Sequence, residues 1–138
     1  MMAFDADVLI YAAEPGHPLG QRVARLFDRV AEDEEFHGVG SLMLALEVLP
    51  KVMREGHTEA ERILLSHLGR LNLLPVDAAV TERALSYAVA YNLRAPDAIH
   101  LSTAVHAGAS RFLTNNRKDF PKSIYEIGII YPEDLPEP

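Results

Sequence analysis

A chain of 138 residues with 49% hydrophobic and 24% charged residues has the composition of one globular domain with a single core. It contains no cysteine, which excludes disulfides, thiolate zinc sites, iron–sulfur clusters and a cysteine nucleophile. The net charge of −7 argues against a protein that coats nucleic acid with a broad basic face, but it permits an enzyme that touches a few phosphates through bound metal and a local basic patch.

The start of the chain does not have the pattern of a signal peptide. Asp5 and Asp7 interrupt the first apolar stretch, and no positively charged segment precedes it. The sequence has no uninterrupted run of about 18 apolar residues, so it predicts no membrane span. We therefore expect a cytoplasmic protein that has no membrane partner.

The first half of the chain predicts short strands between amphipathic helices. A strand over residues 2–4 delivers Asp5 to its carboxyl end, and a short helix follows. Apolar residues recur at helical spacing over 19–31, and a short apolar run over 36–39 predicts the next strand. Ser41 is placed to cap a helix that runs through about Arg54.

The second half continues this alternation. Thr58 and Glu61 have the spacing of a capping box, Asp77 or Thr81 begins a further helix, and Pro96 suits the first turn of the next one. The predicted elements are helices over 58–70, 77–91 and 96–107 and strands over 71–76, 111–114 and 127–131.

Short strands that alternate with helices indicate an α/β fold, a three-layer α/β/α sandwich with a short, mostly parallel sheet. We expect one domain over 1–131 and a loose C-terminal tail over 132–138. In open α/β sheets ligands bind beyond the carboxyl ends of the strands. The pattern places Asp5 and the loop after Thr114 at that edge.

Three further acidic residues stand in positions that allow either a structural or a functional role. Glu47 is a lone acid within the apolar segment 42–49, so it is either exposed, paired with arginine, or held near a cation. Asp97 follows Pro96 in the first turn of a predicted helix, where the helix dipole favours negative charge. Asp119 ends a polar loop, where it could simply bond its own backbone.

Taken together, four segments resemble the PIN-domain family, particularly the VapC-type ribonuclease toxins of toxin–antitoxin pairs. The opening Asp-Ala-Asp-Val-Leu-Ile-Tyr is similar to the family's Asp-x-Asn/Ser-Val-Leu-Ile-Tyr, and Ser41 with Leu-Glu-Val-Leu is similar to the helix that supplies its glutamate. Pro-Asp-Ala-Ile-His and Thr-Asn-Asn-Arg-Lys-Asp-Phe resemble its later blocks. In family order, these segments span residues 4–120.

The resemblance implies a Mg²⁺ or Mn²⁺ centre, endonucleolytic cleavage of RNA, a small inhibitory antitoxin and a homodimer. The family's catalytic, metal-binding acids are matched by Asp5, Glu47, Asp97 and Asp119. Asp7, Thr114 and Asn116 are candidate supporting residues. Asp7 stands where the family often has Asn or Ser, so it either adds negative charge or caps the following helix. Asn116 stands where many members have Asp.

Clustered acids suit this chemistry because a phosphodiester is anionic and repels an attacking hydroxide unless positive charge is supplied. Carboxylates without cysteine favour Mg²⁺ or Mn²⁺ over zinc. Candidate RNA-binding residues, or else solvated surface charges, are Arg94, Arg111, Arg117 and Lys118, with Lys122 nearby. His100 lies one turn beyond Asp97, and we expect a histidine at the edge of the core that is bonded to backbone.

Two other functions remain open. Asp5-Ala6-Asp7 after an apolar strand resembles the nucleophile and acid/base pair of haloacid-dehalogenase-type phosphatases, although the downstream lysine and late acidic pair of that class are not evident. A non-catalytic PIN-like interaction module is the second alternative. The apolar faces of the helices over 19–31 and 58–70 are candidate partner contacts, which we expect instead to lie in the core.

Overall fold

The computed structural model describes residues 1–28 and 38–138 of the chain. Within these ranges the strands form one five-stranded sheet in the order β3-β2-β1-β4-β5, and every pairing is parallel. The strands are β1 (Met2–Phe4), β2 (Gly38–Ser41), β3 (Leu71–Leu74), β4 (Arg111–Leu113) and β5 (Gly128–Ile130). The parallel sheet confirms the predicted α/β class.

Helices cover both faces of this sheet. They are α1 (Ala6–Ala12), α2 (Pro18–Asp28), α3 (Met43–Arg54), α4 (Thr58–Gly69), α5 (Ala78–Tyr91) and α6 (Ala95–His106). A short 3₁₀ helix over Pro132–Asp134 follows β5. Among the described residues, no helix is both long and apolar enough to cross a membrane.

The two faces of the sheet have separate cores because successive side chains of a strand point to opposite sides. Met2 and Phe4 pack with the apolar residues of α1 to α4, whereas Ala3, between them, packs with α5 and α6. Val23 and Phe27 of α2 are fully buried in the first core, as is Leu64 of α4. These helix faces are therefore core, as expected, which confirms the three-layer sandwich.

Several element ends differ from the prediction. α2 is described as far as Asp28, and the remainder of the predicted helix over 19–31 lies outside the described residues, as do residues 36 and 37 of the predicted strand. The capping box was wrong: α4 begins at Thr58 itself, and its N-cap residue His57 makes no side-chain cap bond. Asp77 does cap α5, since its Oδ1 accepts from the backbone N of Val80 at 2.9 Å.

The C-terminal segment is packed where the sequence predicted a loose tail from residue 132. Pro132 and Leu135 are buried, with Leu135 only 7% exposed. Arg22 of α2 donates to the carbonyl oxygens of Glu133 and Leu135 at 3.2 and 3.0 Å. The prediction failed because proline-rich polar composition does not reveal a single apolar anchor and a distant arginine that binds two carbonyls.

The order of the strands creates a switch point in the middle of the sheet. From β1 the chain moves to β2 and then β3 on one side, and it then crosses over to β4 on the other side of β1. Phe4 and Leu113 are register partners, so Asp5 and Thr114 leave adjacent strands at the same edge. Crevices at such switch points are the usual binding sites of open α/β sheets.

Gly20 provides a test of how closely α1 and α2 pack. A methyl group at this position would overlap the carbonyl oxygen of Tyr11, whereas one at Gly69 would meet no heavy atom within 4 Å. In a helix, Gly→Ala alone gains about 1 kcal/mol in propensity, while forced overpacking typically costs about 1–3 kcal/mol. We expect Gly20→Ala to lower the free energy of unfolding in urea and Gly69→Ala to leave it unchanged or raise it. Equal effects would contradict the close approach.

Candidate active site

Asp5 lies between the end of β1 and the start of α1, and both of its carboxylate oxygens are hydrogen-bonded. Oδ1 accepts from the backbone N of Ala6 at 2.8 Å, so Asp5 is the N-cap residue of α1. Oδ2 accepts from the hydroxyl of Thr114 at 2.8 Å. The side chain is only 5% exposed, and this burial raises the pKa of Asp5 above its ordinary value.

The loop after β4 holds a second acid, Asp119, through an asparagine. Asn116 donates from Nδ2 to Asp119 Oδ2 at 2.9 Å, and its Oδ1 accepts from the backbone N of Asp119 at 3.4 Å. Asn116 also donates from its backbone N to the hydroxyl of Thr114 at 3.0 Å. Thr114 therefore connects Asp5 to the loop of Asp119, and Asn116, although neutral, supports that acid directly.

Asp97 lies in the first turn of α6, and its electrostatic surroundings show which acids are its neighbours. Burial raises the pKa of Asp97 to about 6, and the negative charges of Asp5 and Asp119 contribute to the shift. An acid that follows β1, one in the loop after β4 and one in α6 are thus neighbours, although they are separated by many residues in the chain. Asp5, Asp97 and Asp119, which the sequence singled out, are therefore electrostatic neighbours in the structure.

Glu47 reaches the same cluster from α3 through a histidine. Its Oε1 is hydrogen-bonded to Nε2 of His100 on α6, and the His100 side chain is 1% exposed, against 31% for Glu47. Burial by itself lowers the pKa of His100, but the bond to Glu47 and the charge of Asp5 outweigh that effect and raise it. The expected backbone partner of His100 was wrong; its partner is a carboxylate from another helix.

The sequence contained one signal for this role of His100. His100 stands three residues after Asp97, and residues at that spacing lie on one face of a helix. Its partner on α3 was not predictable, because α3 and α6 belong to the cores on opposite faces of the sheet and only the complete fold brings Glu47 within reach. Nδ1 of His100 is buried and has no hydrogen-bond partner among the described residues.

Asp7 turns towards the loop after β4. Its Oδ2 accepts from the backbone N of Asn115 at 3.1 Å, while Oδ1 is buried and has no hydrogen-bond partner in residues 1–28 and 38–138. Burial raises the pKa of Asp7 to about 7, and the charge of Asp5 adds to the shift. Asp5 is the N-cap residue of α1, so Asp7 does not have that role. Asp7 instead adds a titratable group beside the cluster.

The candidate RNA-binding residues are distributed unevenly around this edge. Arg94 immediately precedes α6 and Lys118 lies in the loop after β4; both are exposed. Arg117 instead pairs with Glu133 and lies 4.5 Å from the ring centroid of Tyr131. Arg111 begins β4, so it lies about 10 Å along the strand from Thr114, towards the opposite edge of the sheet.

Lys122 has the same arrangement as Arg117. Its Nζ pairs with Asp134 at 2.7 Å and lies 5.1 Å from the centroid of Tyr131. Tyr131 in turn donates its hydroxyl hydrogen to the carbonyl oxygen of Phe120 at 2.9 Å. The acidic turn after β5 therefore neutralises two of the predicted basic residues and braces the end of the Asp119 loop.

The donor set fits a hard divalent cation in kind and in charge. All the clustered acids offer oxygen ligands, their mutual repulsion raises pKa values, and a buried oxygen of Asp7 lacks a donor in the described residues. Within the described residues, no three aspartate, glutamate or histidine side chains are arranged closely enough to form a complete set of metal ligands. In this structure the carboxylate of Glu47 is occupied by His100.

A family model agrees with this geometry. The model described as the PIN domain matches residues 2–123. The chain belongs to the PIN-domain family. No curated protein matches the chain at a significant level.

Solved structures of the family share the fold at low sequence identity. A toxin–antitoxin complex from Klebsiella pneumoniae is 23% identical with a TM-score of 0.68, over 96% of this chain and 98% of that one. VapBC2 from Rickettsia felis, bound to a promoter DNA fragment, is 18% identical with a TM-score of 0.72, over 94% and 97%. Mycobacterium tuberculosis VapC20, a toxin that cleaves the sarcin–ricin loop, is 15% identical with a TM-score of 0.68, over 93% and 99%.

The raised pKa of Asp7 predicts how the stability of the metal-free protein depends on pH. An unfolded aspartate titrates near pH 4, so between about pH 4 and 7 the folded protein binds more protons at Asp7 than the unfolded chain does. The free energy of unfolding therefore falls as the pH rises through this window. Asp7→Asn removes this contribution, so we expect its free energy of unfolding, relative to wild type, to increase by up to about 4 kcal/mol from pH 4 to 8.

Urea unfolding in the presence of a chelator measures this difference. Glu82→Gln is a matched control, because Glu82 is exposed on α5 and its neutralisation should give a difference that stays nearly constant with pH. A difference for Asp7→Asn that is as flat as that of the control would contradict the raised pKa.

Proposed function

We propose that this protein is a metal-dependent endoribonuclease that hydrolyses RNA phosphodiester bonds, the toxin of a type II toxin–antitoxin pair. The observation that carries the proposal is the convergence of acids at the switch point of the sheet, where hydrogen bonds through Thr114 and Asn116 connect Asp5 to Asp119. Burial and the charges of these two acids raise the pKa of Asp97. Membership of the PIN-domain family and similarity in fold to VapC20, which cleaves RNA at the sarcin–ricin loop, support the same reading.

A divalent cation, Mg²⁺ or Mn²⁺, would be held by Asp5, Glu47, Asp97 and Asp119. When bound, it supplies positive charge that lowers the pKa of an attacking water and neutralises the phosphoryl oxygens. At millimolar concentrations the cation would also relieve the repulsion between the acids, which otherwise destabilises the fold.

The chain's own residues orient this site. Thr114 and the backbone N of Ala6 fix both oxygens of Asp5, so this acid keeps one position whether or not charge is bound beside it. Asn116 holds Asp119 from the side, and His100 directs Glu47 towards α6. The neutral partners of Asp5 and Asp119 leave the negative charge of these two acids available, whereas arginine or lysine partners would cancel it.

Substrate phosphates would be held by the exposed cations at this edge. Arg94 and Lys118 have this position and are exposed. Arg117 is engaged with Glu133, and Arg111 lies towards the other end of β4, so we assign these two a smaller part in RNA binding.

The alternatives receive less support. Family membership favours a nuclease over a haloacid-dehalogenase-type phosphatase. A non-catalytic module would not need acids that are buried and held by specific donors at a free energy cost, as Asp5 is.

We further propose a small antitoxin partner and a homodimer. Similar structures are toxin–antitoxin complexes, which supports the antitoxin. The homodimer draws support from Leu85 and Val89, two apolar residues one turn apart on α5 that are 67% and 78% exposed.

Metal binding predicts a thermal shift. We expect millimolar Mg²⁺ or Mn²⁺ to raise the melting temperature of the wild type, because the cation binds the folded acids and not the unfolded chain. Asp5→Asn and Asp97→Asn should each abolish the shift, even though removing a repelling charge can stabilise the metal-free protein. Glu82→Gln should keep it. A wild-type melting curve that does not change across the titration would count against the metal site.

Cleavage of RNA tests the function directly. We expect the wild type to cleave structured or unstructured RNA in the presence of Mg²⁺ or Mn²⁺ and to stop when a chelator is added. Asp97→Asn should reduce the rate by at least about 100-fold, because it removes a ligand from the metal. Glu82→Gln, purified in the same way, controls for contaminating ribonuclease. Metal-independent cleavage, or equal rates for wild type and Asp97→Asn, would refute the proposal.

A further inference from the structure

Two aromatic rings stack against each other beside the acids. Tyr11, in the last turn of α1, and His17, just before α2, have ring centroids 4.4 Å apart and planes inclined by 11°. Both residues are half-buried, so part of each remains open to solvent. Within residues 1–28 and 38–138, neither ring is hydrogen-bonded directly to an acid.

The corner between α1 and α2 holds this pair in place. The backbone N of Gly20 donates to Nδ1 of His17 at 3.1 Å. Because Nδ1 accepts this hydrogen bond, the proton of the neutral imidazole is on Nε2. Gly20 also sits so close to the carbonyl oxygen of Tyr11 that no side chain fits there. The ring pair is therefore fixed before any ligand arrives.

A chain of hydrogen bonds joins the pair to the acidic cluster. Tyr11 and Asp7 are four residues apart on α1 and share a helix face. Asn115 spans them: its backbone N donates to Asp7 at 3.1 Å, and its Nδ2 donates to the hydroxyl of Tyr11 at 3.4 Å. Asn115 directly follows Thr114, which binds Asp5. The rings consequently lie on the surface that continues from the acids.

We propose that the Tyr11–His17 pair is a subsite on which one unpaired nucleobase of the substrate stacks, next to the phosphate at the acids. The inference rests on the proposed ribonuclease function. Every base has a π-face that stacks on an aromatic ring irrespective of sequence. The pair adds no negative charge to an already acidic edge, so it can hold a nucleotide where a phosphate contact is disfavoured. A base inside an A-form duplex cannot offer that face.

A double-mutant cycle tests the stacking subsite, in which one change removes a base from the RNA and the other removes an aromatic ring from the protein. The probe is a labelled single-stranded RNA of about 12 nucleotides containing a bond that the wild type cleaves, with an abasic nucleotide placed at each position in turn. Binding is measured on the Asp97→Asn background, which keeps the RNA intact. With Tyr11 present, we expect one abasic position near the cleaved bond to weaken binding about tenfold. With Tyr11→Leu, intact RNA should bind about tenfold more weakly, and that abasic position should cost nothing further.

Control variants separate stacking from other effects. Tyr11→Phe keeps the ring and should keep the abasic penalty. Tyr125→Leu removes a tyrosine that is 88% exposed and has no assigned contact with the acids, and it should also keep the penalty. His17→Leu leaves α1 unchanged and should reduce the same penalty, so the test survives a Tyr11→Leu protein that fails to fold.

The outcomes distinguish this inference from the proposed function. If the wild type cleaves RNA but each abasic penalty is the same with and without the Tyr11 and His17 rings, the stacking subsite is refuted and the nuclease stands. If the wild type shows no metal-dependent cleavage of any RNA, the proposed function itself fails. Annealing the probe to its complement should abolish the ring-dependent part of binding; ring-dependent binding to the duplex would also overturn the subsite.

Discussion

Repulsion between buried carboxylates is the constraint to which the rest of this structure is adapted. The switch point of the sheet brings Asp5, Asp7 and Asp97 together, and burial makes their negative charge unfavourable. The fold answers with neutral donors, such as the hydroxyl of Thr114, which hold the acids without neutralising them. The two cores, one on each side of the sheet, offset the unfavourable free energy of burying these acids.

His100 is the exception among these partners, because an imidazole can carry positive charge. Its position between Glu47 and the charge of Asp5 favours the protonated form in spite of burial. The resulting pair joins α3 to α6, which belong to the cores on opposite faces of the sheet, and partly balances the acids from within. A cation arriving from solvent therefore meets a cluster that already contains one internal counter-charge, and the remaining negative charge sets its attraction.

Local patterns predicted the parts of the fold and site that depend on neighbouring residues. The strand before Asp5, the cap of α5 at Asp77 and the first-turn position of Asp97 follow from propensity and capping. The His100–Glu47 contact was missed because it joins two helices that are far apart in sequence and belong to opposite faces of the sheet, so it forms only in the complete fold. The capping pattern predicted Thr58 as the N-cap residue of α4, but the helix begins one residue earlier, with His57 as its N-cap.

Tyr11 illustrates a different limit. The residue belongs to the opening motif, yet the motif does not reveal that its ring stacks on His17 or that Asn115 connects it to Asp7. The stacking depends on the corner at Gly20, where the absence of a side chain lets α2 approach the backbone of α1. From the sequence alone, a glycine in the first turn of a helix is only a residue of low helix propensity. Its role in the close packing of α2 against α1 becomes evident only in the folded structure.

The acidic turn after β5 has a practical consequence for protein engineering. Glu133 and Asp134 engage the two cations that flank Tyr131, and Arg22 anchors the same turn to α2. If an affinity tag replaced the residues from 132 onward, these contacts would be lost. Arg117 and Lys122 would then be exposed beside the Asp119 loop. A shortened protein of that kind would bind polyanions through charges that the intact chain keeps covered, and its retention on nucleic acid would misrepresent the natural surface.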